Sequence, residues 1–153
     1  MKTNVIVPLI TILVLMAIAG GCAAQSSVDG AKRASVVIYE SPTCGCCAQY
    51  NAYLKKEGFD VEARYLDDLS PVKNKYEIPQ ELLACHTATV GGYIIEGHVP
   101  VEVIEKLLTD KPAIRGVALP GMPAGSPGMP GGTKQPFDIY ALTEEGSRFY
   151  MTY

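Results

Sequence analysis

The stretch "SVVIYESPTCGCCAQYNAYLKKEGFDVEARY", residues 35–65, constrains the fold more than any other part of the chain. Its first six residues are β-branched and aromatic and stop at Pro42, the pattern of a buried strand. From Cys47 the period changes. Cys47, Tyr50 and Leu54 recur at helical spacing, Lys55 and Lys56 fall in the last turn, and Gly58 is the stop. Phe59, Val61, Ala63 and Tyr65 then alternate with Asp60, Glu62 and Arg64, as in a half-buried strand. Strand, helix and strand in such close succession predict a right-handed crossover that sets the two strands parallel. Cys44, Cys46 and Cys47 occupy the turn where the first strand feeds the helix.

The rest of the chain extends the same plan. "PQELLAC" (79–85) reads as a short helix opened by Pro79, and "TATVGGYIIEG" as a hairpin turning at Gly91-Gly92. "PVEVIEKLLTD" (100–110) is an amphipathic helix with Val103, Ile104, Leu107 and Leu108 on one face. Residues 116–132 carry Gly and Pro without periodicity and are expected to be a loop. "FDIYALTEEGSRFYMTY" closes the chain as two alternating strands turning at Glu145-Gly146. The expected architecture is α/β: a thioredoxin-like domain with a mixed sheet, a C-x-C-C turn at the start of the first helix, and a C-terminal β-hairpin. At 153 residues there is room for one such domain, and no internal repeat argues for another plan.

The N-terminus has a different composition. Lys2 precedes an apolar run from Val5 to Gly20 that is short for a membrane span, the pattern of an export leader. Small residues then lead to Cys22, and "IAGGCAAQSS" resembles a bacterial lipoprotein box, with Ala19 where that box usually has Leu. The expected division is a leader over 1–21, a tether over 22–34 and the thioredoxin-like domain over 35–153. Cys22 is the expected lipidation site, and the domain is expected outside the cytoplasm, held to the membrane by lipid or anchor. An ordinary signal peptide with an incidental Cys22 reaches the same compartment. Without the leader the chain carries 12 basic and 16 acidic residues, a mild excess of negative charge with no basic stripe. Nucleic acid is therefore not an expected partner.

Chemistry concentrates in the cysteines. Free N–H groups and a partial positive charge at a helix start favour thiolates, which attack disulfides or bind soft metals. Three readings compete. A structural bridge leaves one of the three clustered thiols over unless Cys85 takes it. A thioredoxin-type oxidoreductase uses Cys44 and Cys47 and leaves Cys46 unexplained. A polythiolate metal site uses all three. Other soft donors favour the last: Met122 and Met129, each in a "GMP" tripeptide away from any apolar face, together with Cys85, His86 and His98. Thiolate, thioether and imidazole together form the ligand palette of Cu(I), whereas zinc has little use for Met.

"YESPTCGCC", "ELLACHTATVGGYIIEGHVP" and "GVALPGMPAGSPGMP" resemble, in order, the motifs of the CopG-type copper-resistance proteins. The resemblance runs from about Ser35 to Met151. It implies an exported, thioredoxin-like domain that binds copper through the C-x-C-C cysteines. It also places family motifs on Cys44, Cys46, Cys47, Cys85, His86, His98, Met122 and Met129. The expected cargo is Cu(I), in a bridged copper–thiolate cluster, and the expected partners are copper ions and other copper-handling proteins.

Overall fold

The computed structural model describes residues 33–131 and 136–153. The leader, Cys22 and most of the tether lie outside the described residues. No described helix is long and apolar enough to cross a membrane.

Strand β1 (Ser35–Glu40) runs into helix α1 (Gly45–Lys56), and the chain returns through β2 (Asp60–Tyr65) parallel to β1. Gly58, at φ 89°, makes the stop after α1. A short helix α2 (Ser70–Lys75) and one 3-10 turn (Gln80–Leu82) lead to the hairpin of β3 (Thr87–Val90) and β4 (Tyr93–Gly97). Both turn residues, Gly91 and Gly92, have positive φ, as a tight two-residue hairpin requires. Helix α3 (Val101–Asp110) follows, then β5 (Gly116–Leu119), β6 (Asp138–Thr143) and β7 (Gly146–Thr152). The seven strands form one mixed sheet in the order β2-β1-β3-β4-β5-β6-β7.

Alternation along the strands sorts side chains between two faces. One face carries Val36, Ile38, Ala88, Val90, Ile95, Val117 and Ile139. It is covered by Tyr50 and Leu54 of α1 and by Val103, Ile104 and Leu107 of α3. The opposite face carries Ile94, Ala118 and Leu142 and meets Leu82, with Tyr76 and Ile78 packed alongside. Each fully buried large apolar side chain contributes roughly 1.5–3 kcal/mol, so the first face dominates the stability of the fold.

The structure differs from the sequence reading in four places. The segment beginning at residue 116, expected as loop, opens with β5, buried at all four positions between β4 and β6. A side chain at Gly116 would collide with the Ile94 carbonyl, so this glycine lets a central strand come close rather than breaking one. Helix α2 was absent from the expectation because six residues are too few to show a helical period. "PQELLAC" contains a 3-10 turn and no α-helix. The last hairpin turns at Glu144-Glu145, with Gly146 at φ 126° paired to Thr143.

Candidate metal centre

Cys44 is the residue that caps α1, in extended backbone, and Cys46 and Cys47 stand in its first turn. The Cys44 N–H donates to the Ser41 carbonyl at 3.0 Å, closing the turn out of β1. Cys47 is fully buried, while Cys44 and Cys46 are half-buried. The 3-10 turn and the start of β3 bring a fourth sulfur, Cys85, to the same place. Sγ of Cys46 lies 3.5 Å from that of Cys44 and 3.9 Å from that of Cys85, and Cys85 lies 3.5 Å from Cys47. All four sulfurs fall within 4.8 Å of one another.

Cys44 and Cys47 are joined by a disulfide, and Cys46 and Cys85 are free thiols. The sequence reading expected an open set of thiolates. The difference follows from spacing: positions 44 and 47, one helical turn apart, bring their Cα atoms to 5.3 Å, inside the range a disulfide spans. The structure thus holds the centre in a half-oxidised form, with all four sulfurs still gathered.

Behind the sulfurs are the two histidines of the chain. His86 and His98 are fully buried, with ring centroids 5.0 Å apart, and both pack against the buried ring of Tyr50 at 4.8 and 5.2 Å. The Tyr50 hydroxyl donates to the Val99 carbonyl at 2.7 Å, which fixes that ring. Nε2 of His98 stands 3.1 Å from Cys85 Sγ, and Nδ1 of His86 stands 3.4 Å from it. Nδ1 of His98 lies 2.6 Å from the Pro127 carbonyl, which can only accept. That bond puts the proton on Nδ1 and leaves the Nε2 lone pair facing Cys85.

Burial governs the charges here. It pushes the Cys85 thiol up to about 12, reinforced by Cys46 beside it. It pulls His86 down to about 3, with His98 and Lys73 acting in the same direction, and lowers His98 as well. The imidazoles are therefore neutral at physiological pH. Without a metal, Cys85 is a thiol, so a bound cation must displace its proton.

The loop that carries Cys85 is anchored from below by a buried carboxylate the sequence reading did not single out. Glu96 is wholly buried on β4, and its Oε1 accepts from Lys73 Nζ at 2.5 Å and from the Ala84 N–H at 2.7 Å. Its Oε2 accepts from the Thr87 hydroxyl at 2.6 Å. A Glu at a strand position whose neighbours are buried was the available signal. Without the partner from α2 it looked like the polar half of an alternating strand.

The methionines part company. Met129 lines a groove of about 800 Å³ with Gly45, Cys46, Gln49, Gly128 and Pro130, so its segment flanks the open side of the sulfur cluster. Met122 is half-buried at φ 46° and is not among the residues lining that groove. The loop sits directly on α1. A Cβ at Gly128 would come within 2.6 Å of the Tyr50 nitrogen and 3.1 Å of the Cys46 carbonyl.

Two solved structures match this fold over most of the chain. Both are titled as forms of the copper resistance protein CopG, at 34% identity. Form 2 aligns with a TM-score of 0.73 over 79% of this chain and 98% of that one. Form 1 gives 0.71 over 78% and 96%. The chain belongs to the CopG copper-resistance family. A family model described as "Protein of unknown function, DUF411" also matches residues 82–129, from Leu82 through the Cys85-His86 pair to Met129. No curated protein matches. In this chain the cysteine turn, the buried histidines and the glycine–proline loop come together in one place. The sequence motifs are more than 80 residues apart in the chain and converge on Cys85 and Cys46.

Proposed function

We propose that the protein sequesters or transfers Cu(I) outside the cytoplasm, tethered through Cys22, as part of copper resistance. The observation that carries the reading is the convergence of four sulfurs within 4.8 Å, with Met129 on their open side. Reduction of the Cys44–Cys47 disulfide, which consumes two electrons and two protons, supplies the two missing thiols. The set Cys44, Cys46, Cys47 and Cys85 can then share copper ions through bridging thiolates. Soft thiolates and a thioether select Cu(I) over harder cations. His86 and His98 supply the neutral donors at the back of the site, and Met122 stands in the same loop as Met129.

The disulfide also speaks for a second reading: a thioredoxin-type oxidoreductase in which Cys44 is the exposed nucleophile and Cys47 the resolving thiol. Cys46→Ser separates the two. In an anaerobic Cu(I) titration of the reduced protein against a competing chelator, the copper reading expects a clear loss of capacity or affinity. The oxidoreductase reading expects near-normal disulfide reduction by the same variant. Failure of the reduced wild-type protein to bind Cu(I) tightly, together with robust disulfide reductase activity, would reverse the ranking.

A further inference from the structure

The eight donors expected from the sequence do not form one undivided shell. Apart from the two methionines, they fall into two groups that meet at a single atom. One is the four-sulfur set. The other is Cys85, His86 and His98, whose Sγ and ring nitrogens also lie within 4.8 Å of one another. The Cys44–Cys47 bond removes two thiols from the first group and leaves every donor of the second untouched.

We propose that Cys85, His86 and His98 form a second metal centre. It binds one divalent cation of borderline softness, Zn(II) or Cu(II), and is available when Cys44 and Cys47 are joined. Metal–sulfur and metal–nitrogen distances of about 2.3 Å and about 2.0–2.1 Å place neighbouring S and N ligands about 3.6 Å apart at tetrahedral angles. The two S–N separations here are 3.4 and 3.1 Å, so the donors need only a small outward relaxation. One thiolate with two imidazoles suits zinc or Cu(II), whereas Cu(I) is better served by the sulfur-rich set.

Two observations point to a ligand. Among the described residues His86 Nδ1 meets only Cys85 Sγ, itself a member of the set, and the unpartnered Nε2 is the nitrogen that can carry the proton and leave the Nδ1 lone pair to an ion. His98 has the orientation that metal-binding imidazoles require: one nitrogen donates to a carbonyl and the other turns its lone pair to the ion. Cys46 Sγ, 3.9 Å from Cys85 Sγ, borders the remaining coordination position, which is open to water or to a thiol. Because Cys85 belongs to both groups, occupying one centre alters the other. Closing the disulfide therefore transfers Cys85 from a soft-metal site to a borderline-metal site. This sharing rests on the copper reading; the existence of the second centre does not.

The experiment uses the purified protein in its oxidised form, verified by a count of two thiols, with Co(II) as an optical probe. The expected result is one equivalent of Co(II) bound, with a thiolate-to-metal charge-transfer band, displaced by Zn(II). Cu(II) added in place of Co(II) should give its own thiolate band and so identify which of the two ions the site prefers. Cys85→Ser should abolish the Co(II) band. His98→Gln should weaken binding beyond the roughly 10- to 100-fold that losing a supporting contact costs. Independently of any variant, the imidazole nitrogen resonances of both His86 and His98 should shift in wild-type protein on addition of Zn(II). Absence of the band in oxidised wild-type protein, its survival in Cys85→Ser, or unmoved histidine resonances would overturn the proposal. A parallel Cu(I) titration of reduced protein keeps the two readings apart. Cu(I) bound without Co(II) sinks only the second centre, and Co(II) bound without Cu(I) sinks only the copper reading.

Discussion

The two sides of the sulfur cluster are built differently. The side made by Cys85, His86 and His98 is locked into the sheet: Glu96, wholly buried, ties together Lys73 of α2, Thr87 of β3 and the backbone one residue before Cys85. The side made by the Met129 loop rests on local turns, with Ser126 N–H bonded to the Pro123 carbonyl and Met129 N–H to the Ser126 carbonyl, and on one bond to the locked side, from His98 Nδ1 to the Pro127 carbonyl. Its contact with α1 depends on the absence of a side chain at Gly128. One side holds its sulfur and ring nitrogens in fixed positions. The other has no strand or helix of its own, which suits a wall that must admit and release an ion.

Breaking the locked side should have the largest effect. Lys73→Met leaves the Glu96 carboxylate buried without its countercharge, an arrangement that costs about 3–5 kcal/mol. Urea unfolding of the metal-free reduced protein should show a loss of that order, and Lys73→Met with Glu96→Gln should recover most of it. A loss under about 1 kcal/mol for the single variant would mean that this side is not locked by the ion pair.

The loop side should yield with less damage to the fold. Gly128 has φ 79° and no room for a Cβ, so Gly128→Ala combines strain with a backbone clash and should cost about 1–3 kcal/mol. The loop would lift from α1, and Cu(I) affinity should fall while the core spectrum persists. If affinity were unchanged, Met129 and its neighbours would not be part of the copper wall.

A finer cut separates the two methionines. Met129→Leu should weaken Cu(I) binding several-fold, and Met122→Leu should weaken it less, because only Met129 borders the Cys46 groove. Competition titrations of both variants measure the difference. Equal effects would place Met122 in the bound shell through a loop movement.

The smallest expected effect tests whether orphaned buried oxygens matter away from the metal donors. Glu40 is buried, accepts from Asn51 Nδ2 at 2.8 Å, and leaves Oε2 without a partner. Burial raises its carboxyl above the ordinary range, partly opposed by the Asn51 bond and by Lys55. The folded chain therefore holds this proton more tightly than the unfolded chain does. Its contribution to stability is complete below the ordinary carboxylate pKa and is lost as pH rises through the folded value. Glu40→Gln should raise stability by about 1 kcal/mol at pH 7 and leave it nearly unchanged near pH 4. Tm measured across that range checks the sign.

Much of this was legible because it is local. The β1-α1-β2 unit, the Gly91-Gly92 hairpin and the apolar face of α3 all follow from periods that a short window contains. The cluster Cys44-Gly45-Cys46-Cys47 announced soft-metal or redox chemistry by residue type alone. What was missed, the short helix α2 aside, shares one property. β5 is defined by β4 and β6 on either side, Glu96 by a lysine 23 positions earlier, and the role of Gly128 by the backbone of α1.

The amino-acid order by itself determined which atoms are available: five thiols, two imidazoles, two loop thioethers, and a strand-to-helix turn on which to mount three of the thiols. Only the tertiary structure decided how they are grouped. Sidedness and short-range pairing are set by periods of two and 3.6 residues. The distance between Cys46 and Cys85, 39 positions apart, depends on how helices and hairpin pack across a shared sheet. For that reason Cys85 emerges as the common member of two donor sets only in three dimensions.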